Sequence, residues 1–126
     1  MKKILISLFA AICGACTAQQ ESNVLTVDKY SEAIATDTTA VIIDVRRPAE
    51  YAEGHLNKAT LLNVLDEGAF DEGISKLDKQ KTYYIYCRSG RRSQTATKKM
   101  QQLGLKVYDL QGGFNAWQAA GMPVEK

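Results

Sequence analysis

The stretch Thr82-Tyr83-Tyr84-Ile85-Tyr86-Cys87-Arg88-Ser89-Gly90-Arg91-Arg92-Ser93 brings two local patterns together at one cysteine. Its first five residues are β-branched or aromatic and read as a strand that runs straight into Cys87. Gly90 then breaks the chain, and Ser93 to Leu103 follows a helical pattern ended by Gly104. Strand, loop and helix in this order make up half of a βαβ unit.

Working outward, the rest of the chain repeats that unit. Towards the N-terminus, Val24-Leu25-Thr26-Val27 reads as a short strand. Tyr30, Ala33 and Ile34 then fall at helical spacing, with Asp28 near the start where it suits the helix dipole. Ala40 to Val45 is a continuous β-branched run, as expected of a strand buried on both faces. Pro48 can open a short helix that Gly54 would stop. Ala59 to Leu65 reads as another strand and Phe70 to Leu77 as an amphipathic helix. Beyond Gly104, Lys106 to Leu110 reads as a strand and Phe114 to Ala120 as a closing helix. This alternation predicts an α/β fold, an open and mostly parallel sheet with helices on both faces.

The 126 residues suffice for one domain with a real core, and 45% hydrophobic with 24% charged residues is a globular balance. The first fifteen residues follow a different logic. Lys2 and Lys3 precede an apolar run from Ile4 to Ile12 that ends in Gly14-Ala15, the order of an export signal, and the run is too short for a permanent membrane span. Residues 1–15 are therefore expected to be a signal peptide, 16–23 a polar tether and 24–126 the folded domain. Cys13-Gly14-Ala15-Cys16 is similar to a lipoprotein box, which makes Cys16 the expected lipidation site. Cys13 stands there where an aliphatic residue is usual, and cleavage after Ala18 is the alternative. Either route exports the domain to the periplasm or cell envelope, with a lipid as its only expected link to the membrane.

Export leaves Cys87 as the single thiol of the folded part, so no disulfide can form within it. An unpaired thiol in an oxidising compartment needs a burial or a use. Without Lys2 and Lys3, the 16 basic residues fall to 14, equal to the 14 acidic ones, and nothing points to a nucleic-acid partner. The distribution is uneven, because Lys79 to Tyr108 holds eight basic residues and no acidic one. Cys87 lies inside that basic stretch.

At the carboxyl end of a strand in such a sheet, backbone N–H groups of the loop from Arg88 to Arg92 can curl around one point as an anion nest. The sulfur of Cys87 would lie at its focus, and the helix dipole and neighbouring guanidinium groups favour the thiolate. Ser89, Gly90 and Arg91 complete the candidate substrate loop, with Arg88 and Arg92 the stronger candidates for drawing in an anion and Arg91 as well suited to solvent. Asp44, Arg46 and Glu50 either support this loop through buried hydrogen bonds or cap the helix beside them. His55, the only histidine, suits a structural hydrogen bond better than catalysis, and Trp117 is expected in the core.

Three separated segments together resemble the rhodanese homology domain. Asp44 to Tyr51 with Gly54-His55-Leu56 is similar to its first block, Tyr86 to Ser93 to its active-site loop, and Gly112 to Trp117 with Gly121 to Val124 to its C-terminal block. Asn57-Lys58 departs from the Pro-Gly common in that family before the alanine matched by Ala59. The resemblance implies a sulfurtransferase in which Cys87 takes sulfur from thiosulfate or a similar anionic donor and passes it to a thiol, a protein or cyanide. It implies a monomer that needs no metal or organic cofactor. Two other readings remain. A sulfur-carrier or docking module would keep the same cysteine. A phosphatase or arsenate reductase on this fold would carry five residues between cysteine and arginine, whereas four separate Cys87 from Arg92.

Overall fold

The computed structural model describes residues 23–126. The expected signal peptide, Cys16 and the tether up to residue 22 lie outside the described residues. Asn23, assigned above to the tether, is already tied to the sheet: its carbonyl accepts from Asp109 N–H at 2.8 Å and its side chain donates to Val107 O at 2.9 Å.

Among the described residues, five strands and five helices alternate. They are β1 (Val24–Leu25), α1 (Val27–Thr36), β2 (Ala40–Asp44), α2 (Pro48–Glu53), β3 (Thr60–Leu61), α3 (Glu67–Ser75), β4 (Thr82–Tyr86), α4 (Arg92–Gln102), β5 (Lys106–Leu110) and α5 (Gly113–Ala119). The strands form one parallel sheet in the order β1-β5-β4-β2-β3. The α/β fold with helices on both faces is thus the one expected from the alternating pattern.

β4 lies at the centre, and all five of its residues are buried. Its side chains alternate between two cores, because successive Cβ atoms of a strand point to opposite faces. Tyr83 and Ile85 join Phe70 and Ile74 of α3 and Ala96 and Met100 of α4. Tyr84 and Tyr86 join Tyr30 of α1 and Phe114 and Trp117 of α5. Two-sided burial of this kind explains why the strand reads as a continuous apolar run.

β3 is shorter than the run Ala59 to Leu65 suggests. Asn63 folds the chain into a turn, accepting through its side chain from Leu65 N–H at 3.0 Å and through its carbonyl from Asp66 N–H at 3.2 Å. Val64 remains buried beyond the ladder, so the apolar pattern reported burial correctly while the turn ended the strand. β1 also stops early, because Thr26 caps α1 by accepting from Lys29 N–H.

At its far end the chain returns to the turn after α2. His55 and Glu125 exchange both backbone hydrogen bonds at 2.8 Å, and Trp117 Nε1 donates to Pro123 O at 2.8 Å.

Candidate active site

β2 and β4 are neighbours, yet the chain leaves them in opposite directions. From β2 it passes through α2 on the Tyr84–Tyr86 face to β3, and from β4 through α4 on the other face to β5. A crevice opens at the carboxyl ends of two strands whose connections diverge, and ligands bind in such crevices in open α/β sheets. Cys87, the residue after β4, sits at its edge.

The side chain of Cys87 is 1% exposed. The amide of Gly90 donates to its Sγ at 3.0 Å, and the thiol donates to Ser93 Oγ at 3.4 Å. Gly90 can aim its amide this way because its φ of 103° lies in a region open to glycine. α4 begins with no side chain capping its first turn, and Ser93 of that turn is the residue whose hydroxyl meets the sulfur.

The rear of the loop is held by α5. Phe114 N–H donates to Cys87 O at 2.8 Å and Asn115 N–H donates to Arg88 O at 3.0 Å. Gly113, at φ 60°, packs so closely that a Cβ there would stand 2.5 Å from Cys87 O and 2.7 Å from Arg88 O. The Gly-Gly pair of the C-terminal block therefore lets a helix N-terminus touch the backbone of the cysteine loop.

Asp44, Arg46 and Glu50 all bear on this region, and their contacts differ. The Asp44 carboxylate accepts from Arg46 N–H at 2.9 Å, from the Arg46 guanidinium at 2.7–3.1 Å and from Tyr86 O–H at 2.7 Å. Asp44 therefore anchors β2 to the residue that precedes Cys87. The buried Arg46 also donates to Gly54 O at 2.6 Å and lies over the Phe114 ring at 4.3 Å. Such a buried pair tolerates desolvation only because its hydrogen bonds are well satisfied.

Glu50 makes two sets of contacts. Through Oε1 it accepts from Arg47 N–H at 3.0 Å at the start of α2. It also forms a two-bond pair with Arg92 at 2.8 and 2.9 Å across the crevice. The hydrogen bonds from Arg92 hold its carboxyl down at about 2. This corrects the role expected for Arg92: its fork faces Glu50 and locks the first turn of α4 to α2. The exposed Arg88 lines a cavity of about 170 Å³ together with Arg46, Glu50, Glu53, Phe114, Asn115 and Gln118.

Ser89, Gly90 and Arg91 line a second depression behind the loop, with Gln94, Asp109 and Gly112 among its other walls. Arg91 is exposed. His55 stacks on Tyr51 at 3.8 Å with its Nδ1 2.9 Å from Tyr51 O, and Trp117 lies in the core. Three contributors were not singled out from the sequence. Tyr86 and Gly113 act through distant segments that no local pattern connects. Asp109, an acid at an inward position of a strand, carried a signal in the alternation of β5.

Residues 26–120 match the Rhodanese-like domain. The chain belongs to this family. It is 32% identical over 103 residues to a sulfurtransferase of Allochromatium vinosum, covering 81% of this chain and 94% of that one. It is 38% identical over 80 residues to thiosulfate sulfurtransferase GlpE of Coxiella burnetii strain RSA 331, covering 63% and 72% of the two chains. Among solved structures, the rhodanese-related protein of Thermoplasma volcanium superposes with a TM-score of 0.71 at 28% identity, covering 80% of this chain and 95% of that one. The rhodanese-like fold and kinship with sulfurtransferases thus rest on sequence and structure together. The cysteine loop described above is the segment of this rhodanese-like chain that turns from β4 into α4.

Proposed function

We propose that this rhodanese-like protein is a sulfurtransferase that carries sulfane sulfur on Cys87. The observation that carries the reading is the Gly90 amide aimed at Sγ from 3.0 Å, in a loop that turns into the uncapped start of α4. An N–H donor fixed on a sulfur stabilises negative charge there without reorganising during the reaction.

The thiolate attacks the outer sulfur of thiosulfate or a similar donor. The donor's S–S bond breaks, sulfite leaves with the bonding electron pair, and a Cys87 persulfide remains. A thiol or cyanide acceptor then takes the outer sulfur, and the electron pair of the second S–S bond returns to Cys87 as thiolate. This is covalent catalysis in two half-reactions, for which ping-pong kinetics are expected. Arg88, beside the cavity over the crevice, attracts the anionic donor, and Glu50–Arg92 keeps the two helices that flank the crevice in register. The proposed setting is the cell envelope, on the strength of the basic, apolar and small residues in order at the N-terminus.

The test is intact mass after incubation with thiosulfate, for wild type and Cys87→Ser. A gain of one sulfur atom by the wild type alone is the expected result. No gain in either protein would overturn the proposal in favour of a docking module.

A further inference from the structure

Beside the cysteine lies a buried acid that the reaction above leaves unused. Asp109 is the fourth residue of β5 and pairs in register with Ile85 of β4. Alternation places its side chain on the same face as Val107, under the first turn of α4. It is 3% exposed, and its Oδ1 has no hydrogen-bond partner among the described residues. Ser93, fully buried in that first turn, is the side chain that, together with the Leu110 amide, offsets part of the effect of burial on the Asp109 carboxyl. The same Ser93 oxygen accepts from the Cys87 thiol at 3.4 Å. Thiol, hydroxyl and carboxyl therefore sit together in one buried cluster, Cys87, Ser93 and Asp109.

We propose that Asp109 is a positioning residue for Cys87, acting through Ser93 as the resting place of the thiol proton. This deepens the reading of Cys87 as a sulfur carrier and rests on it. In the proton step the S–H bond of Cys87 breaks and its proton passes to Ser93 Oγ. Ser93 releases its own hydroxyl proton to the Asp109 carboxylate. The products are a thiolate and a neutral carboxylic acid, with no change in net charge and no electron transfer. After the step, Asp109 O–H donates to Ser93, and Ser93 O–H donates to the sulfur.

Three physical points favour this assignment. An ionised carboxylate oxygen buried without a donor is costly, and protonation removes that cost. Two negative charges close together in a dry site repel, so a neutral Asp109 lets the site carry a single negative charge when an anionic donor arrives. Burial also raises the Asp109 carboxyl to about 6, near the range in which a carboxyl exchanges protons usefully around neutrality. The other titratable or charged groups that bear on it are Tyr30 of α1 across the sheet and Arg91 at the wall of the shared depression.

The test follows the alkylation rate of Cys87 by iodoacetamide from pH 4 to 9 in the full chain. Wild type is expected to rise in two steps, the lower one near pH 6. Asp109→Asn and Ser93→Ala are expected to lose the lower step, and Ser93→Thr, which keeps the hydroxyl, to retain it. A wild-type profile superimposable on that of Asp109→Asn overturns the proposal. Should these variants not fold, the carboxyl carbon of Asp109 is followed by NMR against pH in wild type and Cys87→Ala. A moved midpoint supports the coupling and an unmoved one overturns it. Neither measurement uses a sulfur donor, so a failed coupling and a failed persulfide assay are told apart.

Discussion

Lys58 adopts φ 69°, the left-handed region that costs a side-chain-bearing residue roughly 1 kcal/mol. It stands where the resemblance expects glycine, so the departure visible in Asn57-Lys58 leaves the turn in place and puts strain in it. Lys58→Gly is expected to raise stability by about 0.5–1 kcal/mol, the relief being partly offset by the freer unfolded chain. Thermal melts at neutral pH would show this as a rise of a few degrees, with sulfur transfer unchanged. Other residues spoke less clearly in sequence. Arg92 looked like an anion ligand because its nearness to Cys87 is local, whereas its partner Glu50 lies 42 positions away. The place of Cys87 between strand and helix was legible, since the β-branched and aromatic run and Gly90 mark both edges of its loop.

Among the elements, α5 and α3 show how one substitution can act with opposite signs at two glycines. Gly113→Ala would push a methyl group into the carbonyls of Cys87 and Arg88 at a φ of 60°. A loss of roughly 2–4 kcal/mol follows from combined backbone strain and overpacking. Gly68→Ala, in α3 with open space around it, is expected to gain up to about 1 kcal/mol from helix propensity. Denaturant titration checks both, and persulfide formation is expected to slow at least tenfold only in Gly113→Ala. Element identities followed from periodicity throughout, because strands buried on both faces and one-sided helices leave different apolar spacings. Strand ends did not, since the turn at Asn63 and the cap at Thr26 are set by side-chain hydrogen bonds.

For the molecule as a whole, two carboxyls impose opposite pH dependences. Arg92 holds Glu50 near 2, below about 4.3 in an unfolded chain. The folded state thus binds this proton less tightly, and the stability it confers is present above that unfolded value and lost as pH falls towards 2. Burial raises Asp109 to about 6, above about 3.9 unfolded. Its contribution favours folding in acid and is lost as pH climbs through 6. In melts across this range, Glu50→Gln is expected to cost on the order of 1 kcal/mol at pH 7, the pair being partly exposed, and to converge with wild type below pH 3. Asp109→Asn is expected to melt higher than wild type at pH 8 and with it at pH 4. The order of strands was not legible at all residues, yet parallel alternation alone restricts it, and right-handed crossovers leave few arrangements.

The exchange of hydrogen bonds between His55 and Glu125 has a practical side. Gly54, which receives the Arg46 guanidinium, is the immediate neighbour of His55. The segment around Glu125 is a latch on the turn that receives Arg46, so Glu125→Pro, which removes one of the two bonds, would loosen the cysteine's surroundings from a distance.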